Sequence, residues 1–253
     1  MNLQIENIAC LLKASSELNI PFEVFDENSN LVVIKTPKKE LLFSNYSNPF
    51  NTQSFSAVCR DKDFTYRILK DLVLMPEHFT IVDKNYLDKS LKADYTNEIT
   101  EIVSKIGLPI VLKPNSLSKS INVILCNSKE EVLSAVLNIF SDNKNYDYVA
   151  LLQKPINTKN EFRVVVFKNE IVLVYSRDEW IRDEALIQKI RDFVKPVSAI
   201  LDLGFVGMDI ILDNEGKFWL LEINTAIGFE HFIKKYGEEP VIDLYKNILK
   251  NYL

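Results

Sequence analysis

Residues 207–224 read "GMDIILDNEGKFWLLEIN", and this stretch decides the fold. Two apolar runs flank "DNEG", with Gly216 in the turn, so the segment is a β-hairpin by pattern. Both strands are apolar enough to be buried, yet Asp209 interrupts the first, and Glu222 and Asn224 end the second. Side chains at i and i+2 of a strand share a face, so Glu222 and Asn224 project side by side. Pairing around the turn places Asp209 near the level of Glu222. Three oxygen-bearing side chains then converge. A buried carboxylate without a partner is costly, and carboxylates are the usual protein share of a Mg²⁺ site. Acids standing in water at strand ends are the competing reading. It fits less well, because both acids interrupt apolar strands.

The remaining chain is ordered as α+β, with antiparallel hairpins in place of a regular βαβ series. "LQIENIACLLKASSEL" (residues 3–18) has apolar residues at helical spacing. The short β-like runs of residues 21–45 break at "DENSN" and "TPKK", so residues 1–57 form a small α/β lobe. Helices are predicted over 60–72, over 97–107 with Gly107 as C-cap, and after a capping box of Ser128 and Glu131. "PIVLK" and "INVIL" are strands around a polar loop, and "YVALLQKPI" is another. "EFRVVVF" and "EIVLVYS" pair across the turn Lys168–Asn169. The helix over 183–204 is expected to break or kink at Pro196, and the tail from Glu239 is helical.

Composition bounds the function. The chain has 253 residues, 47% hydrophobic and 26% charged, with a formal net charge of −5. That balance speaks against nucleic acid as a main partner, since phosphate neutralisation needs basic clusters. Cys10, Cys59 and Cys126 are too scattered for a zinc site or a disulfide framework. No apolar run approaches the ~20 residues of a membrane helix, and the N-terminus lacks signal-peptide features. A cytoplasmic protein without a membrane partner is expected. Lys113 sits inside an apolar strand. By itself it reads as a strand-end lysine whose stem lies along apolar surface, and against a nucleotide phosphate it reads as a point-charge partner. His78 and His231 lack partner spacing and read as structural or surface residues.

With "DKDFTYRIL", "PIVLKPN", "LLQKPI" and "EFRVVVF" preceding residues 207–224 in this order, the chain resembles the ATP-grasp superfamily over about residues 58–250. Nearest in style are its glutathione synthetase, D-alanine–D-alanine ligase and ribosomal S6 glutamate ligase groups. The resemblance implies two α+β lobes, 58–155 and 156–253, sandwiching ATP, preceded by a shortened N-terminal lobe, 1–57. It implies Lys62 and Lys113 on the nucleotide phosphates; Ser116 and Lys119 belong to the loop that departs from the family's glycine-rich lid, and are expected to compensate by direct phosphate contact. Gln153 replaces the usual glutamate, main-chain atoms of Lys154 and Ile156 hold the adenine edge, and Glu161 takes the ribose hydroxyls. Asp209, Glu222 and Asn224 are the implied Mg²⁺ ligands, while Arg163 and Arg177 stand where cations meet phosphate or an acyl intermediate.

The implied activity is a carboxylate–amine ligase that works through an acyl phosphate on an amino acid, small peptide or peptide tail. A nucleotide-binding module without ligase chemistry and a small-molecule kinase share these residues, and a homodimer is compatible with them. Three departures stand out. The loop "NSLSKSINV" lacks the glycines of a phosphate lid, and the segment after Arg177 is short, without an "RxGxxxxN" element. Gly207 occupies the place of an oxyanion-stabilising arginine in D-alanine ligases, which argues against that activity.

Overall fold

A computed structural model describes residues 4–88, 93–118 and 120–253. Their strands form three sheets in chain order. The first is β1 (Phe22–Val24), β2 (Leu31–Lys35) and β3 (Glu40–Ser44), an antiparallel meander. Its turns close as turn chemistry predicts: Asp26 Oδ1 accepts from the amides of Asn30 and Leu31, both at 2.7 Å. Val32, Ile34, Leu41 and Phe43 alternate toward one buried face, where Ile8, Leu11 and Ala14 of the helix Glu6–Glu17 meet them in a single cluster. The tail helix Glu239–Lys250 adds Val241, Tyr245 and Ile248 to that cluster.

The second sheet holds β4 (His78–Val82), β5 (Ile110–Pro114), β6 (Ile124–Cys126) and β7 (Val149–Gln153), in the order β4-β7-β5-β6. Its pairings are antiparallel. Helices Thr96–Ile106 and Lys129–Ser141 bury Ile99, Ile102, Val132, Val136 and Ile139 with Ile81, Ile110, Leu112 and Leu152 of the strands. The third sheet holds β8 (Thr158–Phe167), β9 (Glu170–Ser176), β10 (Phe205–Asp213) and β11 (Phe218–Asn224), in the order β11-β10-β8-β9. Lys168 and Asn169 turn β8 into β9 with positive φ at both positions, 49° and 68°, as a twist-matched two-residue hairpin requires. Gly216, at φ 83°, does the same between β10 and β11.

Two compact units partition the chain. One comprises Met1–Ser56, Glu161–Ile210 and Ile223–Leu253; the other comprises Ala57–Asn160 and Ile211–Glu222. No helix among the described residues is long and apolar enough to cross a membrane.

Several boundaries differ from the sequence reading, each for a local reason. The helix expected over 60–72 spans Lys62–Leu69, because the Asp61 side chain caps it by accepting from Phe64 N at 2.9 Å. A separate helix, Gln53–Arg60, precedes it. "INVIL" becomes a strand only from Ile124, since Asn122 has a left-handed backbone, φ 55°. Ser128 caps its helix as expected, but Glu131 reaches back to Asn127 N, one residue short of a reciprocal box. The helix Glu184–Ile200 runs on through Pro196 without a break. Proline removes one helical hydrogen bond, while buried Val194 and Val197 hold both sides of it to the core.

Candidate functional site

In the unit containing residues 57–160, the first element that matters is the loop leaving β5. Lys62 opens the helix Lys62–Leu69, and its Nζ donates to Leu117 O at 2.6 Å and Asn115 O at 3.2 Å. It also lies 3.5 Å from Glu222 Oε2. Asp63 N donates to Asn115 Oδ1 at 3.0 Å, so the helix N-terminus holds the same loop stem. Buried Asp147 holds it from another direction: Ser116 donates to Asp147 Oδ2 through its amide (2.6 Å) and its hydroxyl (2.9 Å). Ser116 is thus engaged by a carboxylate. Lys119 lies outside the described residues. Farther along, Ser120 and Asn122 adopt φ 56° and 55°, the left-handed region glycine would otherwise supply. Asn122 is fixed there by donating to Asp142 Oδ2 at 3.0 Å. That bond, with the amides of Lys144 and Asn145, holds the Asp142 carboxyl well below its ordinary range.

Lys113 stands half-buried on β5, opposite Leu151 of β7. Its charge reaches His78, which begins β4. The His78 ring lies against Tyr66, with centroids 4.1 Å apart, and its Nε2 is 3.2 Å from Asp63 Oδ1. Burial pushes the imidazole pKa down, Lys113 and Arg67 push the same way, and Asp63 opposes them. His78 pairs across the sheet with Gln153, the buried last residue of β7, which Val111 meets on its other side. Lys154 N donates to Glu77 O at 3.0 Å, and Ile156 O accepts from the Thr158 hydroxyl at 3.2 Å. These two main-chain groups therefore have partners within the chain.

In the other unit, Arg163 of β8 and Asp209 of β10 form an ion pair, Nε to Oδ1 2.9 Å. Asn224 donates to the other Asp209 oxygen at 3.3 Å. Gly207 makes room for this: a Cβ there would lie 3.1 Å from Arg163 Nη1 and 3.2 Å from its Cδ. Tyr175 faces Arg163 across β9, and burial raises its phenol pKa to about 12 against the pull of Arg163. The chain just past Asn224 is clamped by two asparagines from the N-terminal segment. Asn48 donates to Thr225 O at 2.9 Å, while Asn7 donates to Ile227 O and accepts from Phe229 N. Arg177 and Glu161 stand exposed and make none of these contacts.

Asp147, Asn7 and Asn48 were not legible as site-supporting residues, because each acts on backbone groups far away in sequence. No signal in the sequence marks such long-range partners. Among the described residues no group of three or more His, Cys, Asp or Glu could hold a metal ion. The expected set is of another kind, two carboxylates and an amide, all oxygen donors that suit a hard cation.

The chain matches the YheC/D like ATP-grasp family over residues 156–252. It is 30% identical to the D-alanine–D-alanine ligase of Buchnera aphidicola subsp. Schizaphis graminum, over 70% of this chain and 62% of that protein. It thus spans about three fifths of that relative. The fold matches the D-alanine–D-alanine ligase of Coxiella burnetii with a TM-score of 0.56 at 17% identity, covering 78% of this chain and 61% of the other. The Bacillus anthracis ligase complexed with ATP gives 0.55 at 18% identity, over 78% and 69% of the two chains. Family model, sequence relative and fold point the same way: the chain is similar to ATP-grasp ligases.

Proposed function

We propose that the chain is an ATP- and Mg²⁺-dependent carboxylate–amine ligase, ADP-forming, acting on an amino acid, small peptide or peptide tail. The observation that carries this reading is the Arg163–Asp209–Asn224 cluster, with Glu222 two residues before Asn224 on the same strand. It is supported by the D-alanine–D-alanine ligase relatives, one of which was solved with ATP.

Asp209, Glu222 and Asn224 would hold the metal through oxygen donors, and Lys62 and Lys113 would grip phosphate oxygens as point charges. Bound ATP supplies the phosphoryl group that activates a carboxylate for attack by an amine. The protein's part is positioning and charge neutralisation, with Arg163 assigned to oppose negative charge that develops as the bond forms. The stem bonds to Asn115, Ser116 and Leu117 fix where the loop over the phosphates begins, and a closed loop keeps water out. Main-chain atoms of Lys154 and Ile156, with Gln153 and Glu161, are assigned to the nucleoside. Arg177 is assigned to the acyl-side charge.

Incubation with MgATP and pooled amino acids and peptides, D-alanine among them, tests the reading. A ligase releases ADP only with a carboxylate and an amine present, and a new amide mass appears. ATP binding with neither result assigns the chain to the other reading, a nucleotide-binding module, which the glycine-poor loop favours.

A further inference from the structure

The stretch "NPFN", residues 48–51, carries two asparagines that the ligase reading leaves without a role. Their amides close on the open end of the hairpin formed by β10 and β11. Asn51 pairs with both backbone groups of Phe205, the first residue of β10: its Nδ2 donates to Phe205 O at 2.8 Å, and its Oδ1 accepts from Phe205 N at 3.0 Å. Asn48 Nδ2 donates at 2.9 Å to the carbonyl of Thr225, which directly follows Asn224 at the end of β11. The two amides are joined, because Asn51 Nδ2 also donates to Asn48 Oδ1 at 3.1 Å. Asn7, only 4% exposed, takes hold a little farther on, at Ile227 O and Phe229 N. All of these residues belong to one compact unit.

The segment is rigid and lies flush against the strand it grips. Pro49 fixes one of its backbone angles. A Cβ at Gly204 would lie 2.0 Å from Phe50 O, and the Phe50 ring packs edge-on against Phe167 and Phe205. What the two strands must keep together is Asp209 of β10 and Asn224 of β11, joined by a bond of 3.3 Å. That is already longer than the usual range of about 2.7–3.2 Å for such bonds, so a small splay of the strand ends breaks it. Amides suit the task, because they hold both strand ends without adding charge near the Asp209 carboxylate.

We propose, resting on the ligase reading, that Asn48 and Asn51 are positioning residues: their joined amides clip β10 to the chain leaving β11, and this spacing keeps Asn224 against Asp209. Asn7 secures the same chain beyond the clip. The N-terminal segment thereby acts on the reaction through the geometry of the hairpin, without touching a substrate.

Nitrogen-15 NMR of the full chain without nucleotide or metal tests the clip apart from turnover, with the Asn224 side-chain amide assigned by its loss in Asn224→Ala. Asn48→Ala and Asn51→Ala should each shift that amide, and the double variant should shift it no further, since the two act as one network. Ser15→Ala removes a buried hydrogen bond to Ile20 O in the same unit and should leave the Asn224 amide in place. Mg²⁺-dependent turnover should fall about ten- to hundredfold in the clip variants, the scale on which a misplacement near 1 Å acts. Their KM for MgATP should hardly change, and Ser15→Ala should keep its turnover. Asn48→Leu and Asn51→Leu, of similar shape and without a donor, repeat both measurements should an alanine variant fail to fold. An unmoved Asn224 amide in the clip variants overturns the proposal, as does a turnover loss no larger than that of Ser15→Ala. Calorimetry with MgATP separates the two claims. Shifted amides in a protein that binds no MgATP remove the ligase reading alone, whereas MgATP binding with unmoved amides removes the clip alone.

Discussion

Arg163 reaches across Gly207 to Asp209: its Nε is 2.9 Å from the carboxylate, and its Nη1 would be 3.1 Å from a Cβ at residue 207. The missing side chain at Gly207 is part of the site, because the guanidinium occupies the adjoining space. Gly207→Val should push Arg163 off Asp209. Overpacking of this kind costs about 1–3 kcal/mol, readable as a lower midpoint in thermal unfolding. ATP turnover should fall further than that stability loss explains. A Gly207→Val protein with unchanged turnover would show that the contact is idle.

The hairpin carrying Gly207 and Asp209 was legible from "DNEG" and from two apolar runs, since both signals are local. The Lys168–Asn169 turn and the Ser128 cap were legible for the same reason. What the sequence could not show is where Ser116 and Lys62 point. A serine in a polar loop suggests phosphate contact, yet here its hydroxyl goes to Asp147, thirty-one residues away. Lys62 likewise bonds Leu117 O across fifty-five residues. Of the break or kink expected at Pro196, the break is absent: the helix continues through it, with Val194 and Val197 buried on either side. Asn122 was a departure from glycine by identity, but its left-handed φ shows that it takes glycine's conformation.

That conformation is testable. Asn122→Gly and Asn122→Val both lose the bond to Asp142, and Asn122→Val should be less stable than Asn122→Gly by about 1–2 kcal/mol, the cost of a left-handed backbone for a residue with a crowded Cβ. Urea unfolding of the two variants checks this, and equal midpoints would argue against a strained turn.

Lys113→Met should weaken MgATP binding by about 1–3 kcal/mol, the range for charge-assisted hydrogen bonds. It should also raise the His78 pKa, because Lys113 is one of the charges pushing it down. Calorimetry reads the first effect and imidazole NMR the second. An unchanged MgATP affinity would return Lys113 to the role of a strand-end lysine.

His78 sets a pH dependence. Its folded pKa lies below the ordinary value of 6.5, with burial the largest cause. Below 6.5 the unfolded chain therefore binds more protons than the folded one, and stability falls as pH drops from there toward the folded pKa. Wild type should lose stability between pH 7 and about pH 5.5 in excess of a His78→Gln variant, which has no imidazole to protonate. Parallel urea midpoints for the two proteins across that range would contradict the buried neutral histidine.

The central claim is that the carboxylate–amide set of the hairpin holds the metal for ATP chemistry. The most direct measurement is Mg²⁺-dependent ATP turnover by Glu222→Ala beside wild type, with thermal unfolding confirming that the variant is folded. The account predicts turnover in wild type and its loss in a Glu222→Ala protein that remains folded. Equal turnover in the two proteins would contradict it.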